Sequence, residues 1–459
     1  MRALRIASSR SVQIAVIALT FVLTLTLRVW DVSTRFWLLE DQIRDWAIAL
    51  RPFGDLPLVG PPTHVGGYTI GPAFYWILWA IRVTVGPWFE NLPHAGGIGH
   101  AILQSGADTL LLVAVWRYTQ SVWIALATVV LLATAAFDLA LSALVWNPVM
   151  GSTLAKIATA LVLLGWHRGS PARVALTAAA AWAAVHVYTG AIFGAVGVFA
   201  AILVEPLVRS DRRALRRNAS IVVAVVLLLQ LPYLAHQVSN RFSDRAMSAV
   251  AGSVERVLSG SDPPELFKSV AGLAGAFRYI QFSPWQSPLA GWLLLACSGI
   301  LAIRYRRDPT PLAITLLPLG LSIVGYALFL DDLDPYYYLS LMPAAVLTVV
   351  LAATWMPSPR LARLAGIGLF LGASALVPAR VSLAATMYRM PEYKVLVDAS
   401  RRIRSRNQPM RQIRADFPLP PTSDPEFLYR VLGGRIDRAS PWVSIITSNG
   451  QVEYRYLGS

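Results

Sequence analysis

The chain has 459 residues, 56% of them hydrophobic and 14% charged, with a formal net charge of +15. Its mean hydropathy of +0.54, with the apolar residues gathered in blocks of bilayer-crossing length, excludes an ordinary soluble domain. The one cysteine, Cys297, lies inside an apolar block and leaves no disulfide framework or thiolate metal site.

The basic residues are nearly all arginine and cluster in short gaps between apolar blocks, which obeys the charge rule of membrane topology rather than forming a nucleic-acid footprint. The first apolar run lacks a small-x-small exit and reads as a retained span rather than a cleaved leader. Expected spans are Val12–Val29, Gly99–Trp116, Ser121–Phe137, Val149–Leu164, Val174–Val187, Ala191–Leu207, Ala219–Ala235, Pro288–Ile303, Pro311–Leu330, Leu339–Trp355 and Leu364–Val377. A twelfth apolar block, Tyr68–Gly86, carries Arg82.

Arg2, Arg5 and Arg10 place the N-terminus in the cytoplasm. Basic gaps come next at Arg117, Trp166–Arg173, Arg209–Asn218, Arg304–Pro309 and Ser358–Arg363. The gaps between them, at Asp138–Asn147, His186–Gly190 and Asp331–Tyr338, contain no Lys or Arg. That alternation holds only if Tyr68–Gly86 does not cross. It is therefore expected as a helix on the outer leaflet, with Trp76, Trp79 and Trp88 as interfacial aromatics. The expected fold class is an all-α polytopic membrane protein of about eleven spans with periplasmic juxtamembrane helices. Residues 1–379 form its membrane domain, with outer segments at 31–98 and 236–287. Residues 380–459 form a small α/β periplasmic domain, expected as a helix, a Pro-rich connection and a hairpin turning at Asn449-Gly450.

Glu40 and Asp41 head a short amphipathic helix, DQIRDWAIAL, just after the first span. Asp41 and Asp45 share a face, and Arg44 is spaced to pair with Glu40. By themselves such carboxylates cap a helix N-terminus. The downstream segments are more specific: Gly54-Asp55, then GPPTHVGG at Gly60–Gly67, then GPAFYW at Gly71–Trp76, and later WNP at Trp146–Pro148.

In this order of motifs the chain resembles the protein O-mannosyltransferase and aminoarabinose-transferase group of C-type, multi-spanning glycosyltransferases. The resemblance is carried by the stretch up to about Pro148. Gln42 departs from it, since the group's common motif has Glu after the Asp. The resemblance implies a GT-C fold and transfer of a sugar from a polyprenyl-phosphate carrier to an acceptor hydroxyl, with inversion at the anomeric carbon. By motif alignment Asp41 is the general base, and Glu40 or Asp45 orients it or binds sugar hydroxyls. The partners implied are the bilayer, the carrier and an acceptor glycan, lipid or protein, without nucleic acid. The location implied is a bacterial inner membrane with a periplasmic C-terminus.

The leaving phosphate calls for a cation near the outer interface. Lys268 and Arg278 offer it, with Tyr279, Phe282 and Trp285 beside Arg278; Arg44 and Lys156 stand next in line. Lys156, one of three lysines, lies within the fourth span and either serves function or pairs with Asp108. His64 and Tyr68 in the first loop, Asn147, and Tyr337 in DDLDPYYYL are candidate sugar or acceptor contacts, and His186 is expected at the outer surface. No obligatory metal is expected, although a divalent ion remains open because related oligosaccharyltransferases hold one with acidic pairs. Rival classes are a lipid-linked glycan flippase, which needs charge along a central path, and an O-antigen-type ligase, which favours a large late outer loop with arginines.

Overall fold

The computed structural model describes residues 10–30, 32, 40–63, 66–90, 92–142, 144–277, 289–306, 308–328, 334–356, 358–387, 390, 392–419 and 424–457. Helix α1 (Arg10–Val29) leads to α2 (Glu40–Ala49) and α3 (Ala73–Thr84), which are followed by α4 (Leu92–Thr119), α5 (Val122–Ala133), α6 (Ala136–Ala140), α7 (Asn147–Leu163) and α8 (Pro171–Val187). Next come α9 (Ile192–Val208), α10 (Arg212–Ser239), α11 (Ala246–Leu258), α12 (Leu266–Phe277), α13 (Leu289–Arg304), α14 (Pro309–Ile314) and α15 (Leu316–Ala327). A 3-10 turn (Pro335–Leu341) precedes α16 (Met342–Ala352), α17 (Pro359–Ala375) and α18 (Val377–Thr386).

Among the described residues seven helical segments are long and apolar enough to cross a membrane: Arg10–Val29, Pro93–Thr119, Thr189–Val208, Arg212–Ser239, Pro309–Ala327, Pro335–Ala352 and Pro359–Thr386. The chain is a multi-pass membrane protein. The other expected spans fall on α5, α7, α8 and α13, which have 12, 17, 17 and 16 residues. At about 1.5 Å per residue these fall short of a hydrocarbon core of roughly 30 Å, so length alone does not carry the count of eleven. Helix α5 is the shortest of these. It stops at Thr134, where buried Arg380 of α18 donates to Leu131 O at 3.4 Å and Thr134 Oγ1 at 3.2 Å. Helix α3 has 12 residues and is not among the crossing segments.

The gaps sort to two ends of the bundle. At one, Arg168 and Arg209 bind Glu205, His167 lies 3.1 Å from the same carboxylate, and Tyr118 donates to Asp308 at 3.3 Å. These are the basic gaps. At the other end Asn147 Nδ2 donates to Val187 O at 3.4 Å, Ser340 Oγ to Gly190 O at 3.1 Å, and Gln230 Nε2 to Ile70 O at 2.8 Å.

The C-terminal elements are α19 (Glu392–Ser405), β1 (Gln412–Ala415), α20 (Pro425–Val431), β2 (Trp442–Ile446) and β3 (Val452–Tyr456). Strand β2 is central, parallel to β1 (Ile413 beside Ser444) and antiparallel to β3 (Ser444 opposite Tyr454). The expected hairpin is present, with Gly450 at φ +78° in the turn. Helix α18 runs through the expected boundary at 380 as far as Thr386. Tyr393, Leu396, Val397, Ser400 and Ile403 give α19 one buried stripe. That stripe joins Trp46, Ala49, Phe74 and Tyr75 of α2 and α3 in one hydrophobic cluster. Glu90 reinforces the seam, 3.1 Å from Arg401. The C-terminal unit and the first loop therefore share one end of the bundle.

Beneath that end lie four fully buried charges. Arg28 Nη2 on α1 is 2.5 Å from Asp108 of α4 and 3.0 Å from Asp138 of α6. Lys156 Nζ on α7 is 3.0 Å from each of the same carboxylates. Gln104 Nε2 adds a 3.4 Å bond to Asp138. Two cations and two anions cancel, which is the condition under which buried charge is tolerable. Lys156 thus has the partner the sequence suggested, Asp108, and a second, Asp138. Lys156→Met leaves one carboxylate uncompensated and should cost about 3–5 kcal/mol, whereas Lys156→Met with Asp108→Asn restores neutrality and should recover much of that. Thermal unfolding of purified protein in detergent checks this, and equal losses in both variants would contradict it.

Candidate active site at the start of the first loop

Helix α2 places Gln42, Asp45, Trp46 and Ala49 on its buried face and leaves Glu40 and Asp41 outward in its first turn, where the helix dipole favours acids. The buried face fits closely, since a side chain at Gly96 of α4 would collide with the Trp46 ring. Asp45 is a carboxylate on an apolar face, and three donors meet its Oδ1: Arg44 Nε at 3.0 Å, Arg44 Nη2 at 2.9 Å and Tyr75 Oη at 3.1 Å. Arg44 Nη1 reaches outward to Asp41 Oδ1 at 2.8 Å. A continuous chain results, from Tyr75 through Asp45 and Arg44 to Asp41, whose side chain is 51% exposed.

Burial pushes Asp45 up to about 6, against the opposing pull of Arg44. Burial likewise raises the Tyr75 phenol, with the Asp45 charge adding to it. The expected Glu40–Arg44 pair does not form. Arg44 turns instead to buried Asp45, where a charged hydrogen bond is strongest, and to Asp41. Gln42 is buried and its Oε1 has no partner among the described residues.

The glycine- and proline-rich segment folds back as a tight loop. Gly60 N donates to Thr69 O at 3.0 Å, Thr69 N to Pro61 O at 2.8 Å and Thr63 N to Gly67 O at 3.0 Å. Gly67, at φ +72°, abuts Asp244, whose Oδ1 accepts from Tyr68 N at 3.3 Å. Tyr68 itself is exposed, its ring 5.9 Å from that of His236. His186 corrects its expected surface position. It is buried beneath this loop, in space that any side chain at Gly71 would fill, and its Nε2 lies 3.1 Å from Gln230 Oε1.

Asn147 and Tyr337 come together through aromatic contacts. The Trp146 and Tyr336 ring centroids are 4.6 Å apart, and Tyr336 stacks on Tyr337 at 4.8 Å. Lys268 on α12 pairs with Glu265 at 2.7 Å, and Tyr338 Oη donates to Ser269 O of the same helix at 3.2 Å. Lys156 is held in the buried quartet. Arg278 with its aromatic neighbours, His64, Asp331 and Asp332 lie outside the described residues. Among the described residues no three His, Cys, Asp or Glu side chains are grouped to hold a metal ion. Sequence reasoning missed Tyr75, whose only signal is a phenol on an apolar helix, and Asp138, an acid inside AAFDLALSAL.

No protein-family model and no curated protein matches the chain. Solved structures do. ArnT (aminoarabinose transferase) from Cupriavidus metallidurans, bound to undecaprenyl phosphate, aligns with a TM-score of 0.52 at 14% identity over 94% of this chain and 86% of its own. The Archaeoglobus fulgidus oligosaccharyltransferase in complex with Zn and sulfate aligns with a TM-score of 0.54 at 16% identity, over 93% of this chain and 62% of its own. AglB from Archaeoglobus fulgidus, with an inhibitory peptide and a dolichol-phosphate, gives 0.52 at 14% identity, over 86% and 58%. This chain spans less than two thirds of the archaeal proteins. At these identities the likeness is one of fold, and the fold is the GT-C fold of those enzymes.

Asp45 supplies a direct test of the geometry. Its native value of about 6 lies above the ordinary 3.8. The folded protein therefore binds this proton more tightly than the unfolded chain, and the associated stability is full below about 3.8 and lost as pH rises through about 6. Infrared difference titration should show a carboxyl near pH 6 that Asp45→Asn removes. Tyr75→Phe, which takes away a donor to the ionised form, should move it higher. Titration near 4 would contradict the buried placement.

Proposed function

We propose that this chain is a membrane glycosyltransferase that moves a sugar from a polyprenyl-phosphate carrier to an acceptor hydroxyl, by inverting single displacement at the periplasmic face of a bacterial inner membrane. The strongest support is the acidic head of α2 set on a fold shared with ArnT over 94% of this chain, ArnT itself having been solved with undecaprenyl phosphate.

Such a donor keeps its prenyl chain in the bilayer and presents its sugar at the interface, so the base must sit at a helix end beside the membrane. Asp41 meets that need, being exposed and oriented by Arg44, which Asp45 and Tyr75 hold in turn. In the reaction the acceptor oxygen attacks the anomeric carbon while the bond from that carbon to the phosphate oxygen breaks. Asp41 takes the acceptor proton, and the phosphate leaves with the bonding electrons. Lys268 and Arg278 are the cations assigned to that phosphate, with Arg44 at the acidic side of the site. Lys156, neutralised by Asp108 and Asp138, is assigned to the scaffold. Glu40, Tyr68, His64, Asn147 and Tyr337 are assigned to sugar and acceptor. The acceptor is a glycan, lipid or protein hydroxyl.

Asp41→Asn keeps size and most hydrogen bonding while removing basicity, and loss of a positioned base costs about 10²–10⁴ in rate. Transfer from a labelled polyprenyl-phosphate sugar, in membranes with matched expression, should fall by that factor in Asp41→Asn and by less in Glu40→Gln. Near-normal turnover in Asp41→Asn would remove Asp41 from the mechanism.

Membrane sidedness has its own test. Reporters active on only one side should give a cytoplasmic signal at Ala214, in a basic gap, and a periplasmic signal at Ser459. The opposite pattern would put α2 on the wrong face for a periplasmic reaction.

A further inference from the structure

Between the N-terminus of α7 and the 3-10 turn lies a group of aromatic side chains that the proton-transfer step does not use. Trp146, Tyr336 and Tyr337 form a continuous row. The first pair is 4.6 Å apart and tilted by 52°, and the second is 4.8 Å apart with ring planes within 20°. All three are only half-buried, and so is Asn147 beside them.

Tyr188 sits in the same place but is buried, at 8% exposure, and its Oη has no hydrogen-bond partner among the described residues. A phenol removed from water normally finds a partner for its hydroxyl. The ring's slot is defined by two glycines, since a side chain at Gly151 or Gly190 would collide with it. The phenols of Tyr326, Tyr336, Tyr337 and Tyr338 lie close enough to act on it electrostatically. Tyr188 belongs to the hydrophobic cluster that contains Trp46 and Tyr75 of the candidate active site, and Tyr337 packs against it. Tyr338 ties the same turn to α12, the helix that carries Lys268.

We infer that Trp146, Tyr336 and Tyr337 form the platform for the donor sugar ring, and that Tyr188 Oη with Asn147 binds its hydroxyls. The inference rests on the sugar-transfer reading and names where that reaction's sugar is recognised. Stacked rings offer apolar faces to the C–H side of a pyranose or furanose, while an unpaired phenol and an amide supply the few convergent polar groups a small-molecule site needs. The shared cluster with Trp46 and the Tyr338–Ser269 bond tie the platform to α2 and α12, which carry the proposed base and the proposed phosphate contact.

The test uses the full chain in nanodiscs and measures binding of bare decaprenyl phosphate and of decaprenyl phosphates carrying mannose, glucose, arabinose or N-acetylglucosamine. At least one sugar should tighten binding over the bare lipid. Tyr188→Phe should cut that gain by about threefold to tenfold, the range of one neutral hydrogen bond, and leave the bare lipid unchanged. Tyr336→Leu, at a half-exposed position, should reduce the gain as well. A panel in which no sugar adds affinity, a gain unaltered in both variants, or an equal loss for bare and sugar-bearing lipid would each overturn the subsite. Failure of the bare lipid to bind wild type would instead count against the carrier, and so against the proposed function itself.

Discussion

The buried quartet of Arg28, Asp108, Asp138 and Lys156 constrains the rest of the molecule. Charges with no exposure cannot shift toward water, so each must keep its partners. Four helices far apart in sequence are thereby pinned to one point. Arg28 lies in the last turn of α1, and the first loop starts from that turn. Arg28 thus ties the end of α1, from which the first loop departs, to α4 and α6. Small residues complete the arrangement, with Gly96 admitting Trp46 and Gly71 admitting His186.

A second layer rests on that foundation. Asp45 would be costly on the apolar face of α2 without donors, and Arg44 and Tyr75 supply them. Arg44 turns its remaining edge to Asp41. A buried carboxylate therefore orients an exposed one through a shared guanidinium. The C-terminal unit seals the outer side of this arrangement by packing α19 on α2 and α3. The candidate site sits at a junction of first loop, bundle and C-terminal unit.

Much of this was legible in the sequence wherever the cause is local. Apolar blocks announce helices because their signal needs no distant partner, and the expected spans are mostly helical where the structure describes them, although Ser121–Phe137 and Pro311–Leu330 each divide over two helices. Asn449-Gly450 announced its turn because Gly450 adopts a positive φ there. Asp41 and Asp45 were recognisable as one face because a single helical turn brings them together. The rest depended on contacts between distant segments. Tyr75 meets Asp45 across 30 positions of sequence. The C-terminal end of α5 is bound by Arg380, far downstream. His186 is buried because a loop more than a hundred residues earlier folds over it. Strand β1 pairs in parallel with β2, a register that no single stretch encodes. Arg44 had three acids in reach, and the pull of buried Asp45 was invisible to a rule of spacing.

The central claim is that carrier phosphate and acidic helix meet at the same end of the bundle. The most direct measurement is a structure of the full chain in lipid nanodiscs with decaprenyl phosphate. The account predicts the phosphate at the α2 end, within hydrogen-bond reach of Lys268 or Arg278 and with its prenyl chain along the bundle surface. A phosphate bound at the opposite end, among Arg168, Arg209 and Asp308, would contradict it.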